Sequence, residues 1–295
     1  MLLLIKKNTI LNLFFFLVSP MPELDQMMRM LDRARLNTEA RTSNVNAQAD
    51  ANPEHDVADN SVTKSHALSR AYYRFGLVEK RCMEALISKL HPLRSDNNLQ
   101  EIELSALEYS KAFDISRPMA YRDIARAIDN LIGTVIRVDL GKKIIKLSLM
   151  TKAEYVESNG RITCEFNPHI VPHLIGLREK FSSYPLKKAV SFSSSYTWRF
   201  YEILVSWAQP KQKTDGRFMG WIDRQSVEEL REMLGVPDSY TWNVFEKRVL
   251  KVAQAELKEK ANMFITFERV KTSRKITHLN IKFIEDDQLE IQLKN

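Results

Sequence analysis

The chain has 295 residues, of which 44% are hydrophobic and 27% are charged, and this composition is typical of a globular protein with about two domains. An aromatic content of 9% and only 8 glycines exclude a fibrous or low-complexity protein. The formal net charge of +7 favours a polyanionic partner. Because Cys82 and Cys164 are too few for a disulfide framework or a cysteine-only zinc site, we expect a reducing compartment, the cytoplasm.

The positive charge is unevenly distributed along the chain. Residues 1–62 carry 6 Lys and Arg against 8 Asp and Glu, residues 63–153 carry 16 against 10, and residues 154–295 carry 22 against 19. The excess of basic residues therefore lies in the two parts of the chain that are predicted to fold.

Residues 1–67 are predicted to be an N-terminal apolar segment followed by a disordered linker. The apolar runs within residues 1–18 are interrupted by Lys6 and Lys7 and are too short to span a bilayer. Either the natural start is Met21, or the tail is an accidental apolar segment, or it has a membrane role. Residues 37–62 are rich in Asn, Ala, Asp, Ser and Thr, which indicates a linker. Ordered structure is expected to begin near Leu68.

A helix–turn–helix pattern is predicted within residues 68–166. Apolar residues at steps of three and four predict a first helix over 77–90. Ser105 and Glu108 form the capping box of a second helix, and a third helix with a narrow apolar stripe extends over 119–132. Two strands follow, over 135–138 and 144–149, with a turn at 141–143 that we interpret as the tip of a wing.

The same order of elements recurs in residues 167–295, after a connector helix. Ser226 and Glu229 repeat the capping box, a third helix extends over 241–260, and β runs over 264–270 and 276–284 form a hairpin. A helix–turn–helix with a β-hairpin wing is a winged helix. The sequence therefore predicts an α+β protein with two tandem winged-helix domains.

Basic residues lie opposite the apolar stripe of both third helices and at both predicted wing tips. Any solvated helix can show such a face, but its recurrence in both units favours DNA binding. A helix of this kind enters the major groove and reads base edges, whereas wing lysines contact phosphates. The candidate DNA-binding residues are Arg117, Arg122, Arg126, Lys142, Lys143, Thr241, Asn243, Lys247, Arg248, Lys251, Lys271, Arg274 and Lys275.

Several motifs resemble those of the plasmid replication initiator (Rep) family. The stretch SYTWRFYEIL at residues 195–204 resembles the family signature S-Y-x-x-R-x-Y-E-x-L. The stretch from Asn167 through Pro172 to Leu177 resembles its N-P-x-x-x-P-x-x-I-G-L connector. The likeness covers roughly residues 68–284 and looks closest to the iteron-binding initiators of F-type plasmids.

The resemblance implies a function in plasmid replication. Such proteins bind directly repeated origin sequences, called iterons, as monomers, help to open AT-rich DNA, and recruit the host replication initiator and replicative helicase. As homodimers in equilibrium with monomers, they often repress their own promoter at an operator inverted repeat. The first domain is then involved in dimerisation, and the second supplies most base contacts, here from Lys247, Arg248 and Lys251. Glu246 interrupts the family's arginine cluster; its carboxylate either accepts from cytosine N4 or reflects a different iteron sequence.

Motifs for catalysis and cofactor binding are missing from the sequence. It has no G-x-x-x-x-G-K-[ST] phosphate loop and no H-x-H arrangement of a nicking enzyme. His169 and His173 lie near Cys164, but Pro172 between them and the match to the family connector favour a structural role over a metal site. We therefore expect no cofactor, no metal and no enzymatic activity. A tandem winged-helix transcriptional repressor without an origin role is the alternative, and a nicking enzyme with a covalent tyrosine is a third hypothesis.

Overall fold

The structure is a computed structural model. The residues that it describes belong to one compact unit, Asp56–Asn295. The described residues are 56–90, 101–139, 141, 143–156, 160–208 and 218–286. The predicted apolar segment and residues 37–55 of the predicted linker lie outside them. Among the described helices, none has the length and apolar character that crossing a bilayer requires.

Helices and strands alternate along the first half of the described chain. In order they are β1 (Ser61–Ser65), α1 (His66–Ser69), α2 (Leu77–Ser88), β2 (Ile102–Ser105), α3 (Ala106–Phe113), α4 (Arg117–Gly133), β3 (Val135–Asp139), β4 (Ile144–Ser148), β5 (Met150–Val156) and β6 (Arg161–Phe166). A 3₁₀ turn, Val57–Asp59, precedes β1.

The second half contains a similar series. In order it comprises β7 (Phe181–Pro185), α5 (Ser195–Trp207), β8 (Met219–Ser226), α6 (Val227–Met233), α7 (Trp242–Phe245), a π turn (Glu246–Leu250), α8 (Lys251–Ala261), β9 (Met263–Thr272) and β10 (Lys275–Glu285). Further 3₁₀ turns lie at Val171–His173 and Leu186–Lys188. We call α7, the π turn and α8 together the second recognition helix, and α4 the first recognition helix.

Ordered structure begins earlier than the sequence predicts. Residues 57–67, predicted as linker, form a 3₁₀ turn, β1 and the start of α1. β1 pairs antiparallel with β7, and Val62 and Lys64 are buried there. The linker prediction failed here because it rested on composition, which does not reveal a pairing partner about 120 residues away.

The first winged-helix unit forms as predicted around α2, α3 and α4. The expected stripe of α4 is buried: Ala120, Ile124, Ala127 and Leu131 face the core. The capping box at the start of α3 is complete, because Glu108 N donates to Ser105 Oγ at 3.2 Å and Ser105 N donates to Glu108 Oε2 at 2.7 Å. This cap fixes where the second helix of the unit starts.

The wing of the first unit is not the hairpin that the sequence predicts. β3 and β4 form a separate two-stranded sheet, whereas β5 and β6 join β2 in the order β2-β6-β5. The second unit has the equivalent order β8-β10-β9, so β5–β6 corresponds to the wing β9–β10. The β3–β4 hairpin is an addition between the first recognition helix and its wing. Periodicity identified the strands of this hairpin but not their partners, which depend on contacts distant in sequence.

The second unit matches its predicted element order. Ser226 Oγ accepts from Glu229 N at 3.3 Å, as predicted. The Glu229 carboxylate instead accepts from Gln225 Nε2 at 3.3 Å. Both units together confirm the α+β fold with two winged helices.

Candidate nucleic-acid interface

The second recognition helix presents the predicted basic residues to solvent. Lys247, Arg248 and Lys251 are exposed, whereas Phe245 and Val249 are buried beneath them. Thr241 caps the helix, since its Oγ1 accepts from Val244 N at 3.5 Å. Together with the exposed Asn243, it lies at the N-terminal end, where backbone N–H groups favour phosphate.

A π turn at Glu246–Leu250 lies within the part of this helix that is predicted to read DNA. Buried residues recur every fourth position from Phe245 to Leu257, and each such step overshoots the 3.6-residue α-helical turn by about 40°. A π turn takes more residues per turn, so it offsets this drift and also buries Leu250. It thereby sets the directions in which Lys247 and Arg248 point relative to Lys251.

Glu246 is engaged by a cation from the wing. Arg269 on β9 donates from Nη2 to Glu246 Oε1. The two side chains border a cavity of about 330 Å³ between the helix and the sheet, also lined by Trp242, Lys251 and Gln254. The sequence singled out Glu246 as a possible reader of cytosine, but it gave no sign of Arg269, because this contact depends on how the helix lies on the sheet.

The tip of the second wing carries the predicted cations. Lys271, Arg274 and Lys275 are all exposed around the turn between β9 and β10. Ser273 adopts a positive φ of 56° there, which closes the turn tightly. These three cations therefore add positive charge at the wing of the unit that carries the second recognition helix.

The first recognition helix also exposes its predicted cations. Arg117, Arg122 and Arg126 are exposed, and Pro118 near the helix start has the fixed φ that suits this position. Arg122 and Arg126 lie four residues apart, so they share one face of the helix. Like the second recognition helix, this helix therefore presents basic side chains to solvent.

The predicted cations of the first wing lie elsewhere. Lys143 is exposed on the additional β3–β4 hairpin, and Lys142 lies outside the described residues. On the strands of the actual wing the cations are compensated, because Lys152 pairs with Glu101 and Arg161 pairs with Glu103. This wing therefore lacks the concentrated positive charge of the second one, within the residues that the structure describes.

A buried polar cluster, which the sequence did not predict, connects β1, α2, β7 and α5. It comprises Lys64, Lys80 and Arg199 as cations, Glu84 and Glu202 as carboxylates, and the hydroxyls of Tyr73 and Tyr184. Burial alone would raise the pKa of Glu202, but Lys64, Lys80 and Arg199 outweigh it and lower that pKa well below its ordinary value. Arg199 and Glu202 are the charged residues of the 195–204 motif, so the motif marks this cluster.

Arg199 connects elements of both units. Its Nη2 donates to Ala71 O at 2.8 Å and to Met233 O at 3.2 Å, at the end of α6. Nearby, Arg137 of the additional hairpin pairs with Glu232 of α6. Gly235, at a φ of 68° between α6 and the second recognition helix, packs so closely that a Cβ would lie 2.9 Å from Tyr73 O. The helix–turn–helix of the second unit is therefore anchored on the first.

His173 and Cys164 are packed in the fold, whereas His169 is exposed. His173 Nδ1 lies 2.9 Å from Ser65 Oγ, and Cys164 is buried with a pKa raised by that burial. Within the described part of the chain, no three His, Cys, Asp or Glu side chains are grouped to hold a metal ion. Tyr201 is buried as expected, and burial raises the pKa of its hydroxyl, whereas Tyr196 is half-buried.

The two units and their exposed cationic helices define a tandem winged-helix DNA-binding protein. One family model, described as "Initiator Replication protein, WH1", matches residues 61–205, and another, described as "Initiator Rep protein, WH2", matches residues 226–283. The chain belongs to the plasmid replication initiator (Rep) family, whose members are DNA-binding proteins rather than enzymes. The first match includes α5, whereas the sequence predicts a domain border after residue 166.

Two solved structures are similar to this chain. The Pi initiator protein, crystallised in complex with iteron DNA, is 21% identical, with a TM-score of 0.59 over 78% of this chain and 99% of its own. The WH1 domain of MSBI1.176, a replication protein isolated from a multiple sclerosis patient, is 17% identical and covers 37% of this chain and 78% of its own. The TM-score of the second match is 0.23, too low to establish a shared fold. The first supports the tandem winged-helix fold.

Proposed function

We propose that this replication initiator binds the iterons of its plasmid origin and promotes opening of the adjacent DNA. The observation that carries the proposal is the pair of exposed basic recognition helices on two units that Arg199 joins. The Pi initiator, which has a similar fold, was crystallised with iteron DNA. Two reading helices in a fixed relation suit a repeated site that spans successive turns of a duplex.

In this proposal the two modules have different roles. Lys247, Arg248 and Lys251 of the second recognition helix read base edges, since arginine in the major groove can bind guanine through two hydrogen bonds. Lys271, Arg274 and Lys275 contact phosphates at the wing and fix the register. The exposed arginines of the first recognition helix contact DNA about one turn away.

The proposal extends to partners and assembly. The protein recruits the host replication initiator and replicative helicase, and it represses its own promoter as a homodimer at an operator inverted repeat. This function requires the cytoplasm, where plasmid DNA resides. The division at residues 68–166 and 167–295, and the kinship with F-type initiators, stay predictions of the same kind.

Footprinting on the plasmid DNA around the gene tests the proposal against its alternative. We expect the full-length protein to protect directly repeated sequences in preference to random DNA at physiological ionic strength. Protection of an inverted repeat alone would favour a transcriptional repressor without an origin role. Conversion of supercoiled origin DNA to a nicked, tyrosine-linked form in the presence of Mg²⁺ would favour a nicking enzyme.

A further inference from the structure

The Glu246–Arg269 ion pair joins two elements that are both proposed to contact DNA. Glu246 belongs to the second recognition helix and Arg269 to the strand that leads to the wing tip. The Glu246 side chain is 22% exposed and the Arg269 side chain 50% exposed. The carboxylate is thus largely covered, while the guanidinium remains accessible from outside.

The side-chain alternation along β9 shows which way Arg269 points. Met263 and Ile265 are buried and Phe267 is half-buried on the face of β9 that packs against the helices. Because successive residues of a strand alternate between faces, Arg269 and Lys271 continue this face beyond the core. Arg269 therefore lies between the recognition helix and the wing tip, on the same strand face as Lys271 and beside the cavity that Lys251 also lines.

We propose that Glu246 is a positioning residue for DNA recognition, holding Arg269 beside the recognition helix so that Arg269 binds a backbone phosphate. A guanidinium has five N–H donors in a planar fork, and Glu246 engages it through Nη2. Ordering a long side chain before binding reduces the entropy that is lost on association. The inference rests on the proposed function and assigns a new contact within that site.

Glu246 has the opposite role in this proposal to that of a cytosine reader. A carboxylate that accepts from cytosine N4 must point into the groove, whereas this one accepts from Arg269. Without its arginine it would be an uncompensated negative charge close to the phosphates, and it would weaken binding. The sign of its contribution therefore depends on Arg269.

A double-mutant cycle on the full-length protein tests this dependence. The probe is the short duplex that the wild-type protein selects from a random-sequence pool, with a scrambled duplex of the same composition as reference. Affinities are measured over a range of salt concentrations for the wild type, Glu246→Ala, Arg269→Ala and the double variant. Thermal unfolding of each variant identifies any loss of folding.

Removing the arginine should weaken binding to both duplexes by about tenfold, the usual effect of losing one charge-assisted hydrogen bond. It should also lower the slope of log affinity against log salt by about 0.9, the value for one phosphate contact. Glu246→Ala should weaken binding when Arg269 is present and strengthen it when Arg269 is replaced. This inversion of sign supports the positioning role.

Two variants on the other face of the same sheet serve as controls. Glu268→Ala removes an exposed carboxylate next to Arg269 in sequence, and Lys282→Ala removes an exposed cation of β10. Neither should change the salt slope. If Glu246→Ala strengthens binding equally with and without Arg269, the positioning role is wrong.

Two other outcomes distinguish this inference from the proposed function. If Glu246→Gln alters preference at a single base pair while Arg269→Ala leaves affinity and salt slope unchanged, Glu246 is a base reader and the inference is wrong. If the wild-type protein enriches no sequence from the pool, sequence-specific binding itself is contradicted, and the proposed function fails with the inference that rests on it.

Discussion

Arg199 Nη1 lies 2.7 Å from Glu202 Oε2, one turn further along α5, and both side chains are almost completely excluded from solvent. Lys80 Nζ lies 2.6 Å from the same carboxylate, and Lys64 also pairs with it. One carboxylate thus compensates cations from three elements. Since each of these charges would be costly to bury alone, the cluster fixes how β1, α2 and α5 pack.

Removing the charge of Glu202 should destabilise the fold severely. Glu202→Gln keeps the size of the side chain but leaves three buried cations with Glu84 as the remaining carboxylate of the cluster. We expect a loss of about 3–5 kcal/mol in the free energy of unfolding, measured by urea denaturation. Glu228→Gln on the exposed face of α6 is the control and should be nearly neutral. Similar unfolding midpoints for the two variants would contradict the prediction.

The same carboxyl group should make stability depend on acid pH. In the unfolded chain Glu202 takes up a proton near its ordinary pKa of 4.5, whereas in the folded protein its pKa is well below that value. The ionised group therefore contributes stability above pH 4.5, and this contribution is lost as pH falls through the folded pKa. Urea titrations below pH 4.5 should show a shallower pH dependence for Glu202→Gln than for the wild type; parallel curves would exclude this linkage.

Gly235 should not tolerate a side chain. Its φ of 68° lies in the left-handed region, where any residue with a side chain would be strained. A Cβ at this position would also lie 2.9 Å from Tyr73 O. Gly235→Ala should cost about 1–3 kcal/mol and weaken DNA binding, because the turn before the recognition helix must move. Gly133→Ala, where a Cβ would meet nothing within 4 Å, is the matched control and should be neutral or stabilising in thermal unfolding. An equal loss in both would attribute the effect to glycine replacement in general.

The two helix caps should differ in strength. Ser105→Ala removes a complete capping box and should cost about 1 kcal/mol. Ser226→Ala should cost less, because Glu229 is held by Gln225 and does not complete the box. Chemical denaturation of both variants gives the comparison. A larger loss for Ser226→Ala would indicate that the reciprocal hydrogen bond adds nothing.

Arg248 and Lys275 should affect DNA binding in different ways. Arg248→Ala should reduce the preference for the specific duplex by about 1–3 kcal/mol, the range for one bidentate base contact. Lys275→Ala should weaken all duplexes alike and lower the salt slope by about 0.9. Competition binding at several salt concentrations separates the two effects. Equal losses on specific and random DNA for Arg248→Ala would rule it out as a reader.

Local signals in the sequence predicted the helical frame of both units. Ser105, Glu108 and Ser226 mark helix starts through contacts three residues apart, and the stripe from Ala120 to Leu131 follows from helical periodicity alone. The exposure of the cations on both recognition helices follows from the same periodicity, because these cations lie opposite the apolar stripe. These features depend on neighbours within one or two turns, which the sequence displays directly.

Features that depend on distant partners were missed. The sequence places Lys143 on the wing because its hairpin comes next along the chain, whereas in the structure β2 pairs with β6 and the hairpin of Lys143 forms a separate sheet. The contact between Glu246 and Arg269 spans two elements, and the cluster around Glu202 unites residues from Lys64 onward. The π turn accommodates a mismatch between the helical turn and an apolar repeat of four residues, which is visible in the sequence from Phe245 to Leu257.

The Glu202 cluster is buried, whereas the basic side chains proposed to contact DNA are exposed, so evolution constrains the two sets of residues differently. A lone replacement inside the cluster strands a charge, so viable changes there must be concerted. Lys247 and Arg248 are exposed, so under the proposed function a replacement at either one changes sequence preference without disturbing the cluster. On the proposed function, members of the family change the DNA sequence that they prefer by exchanging surface cations, while the buried packing of β1, α2 and α5 stays the same.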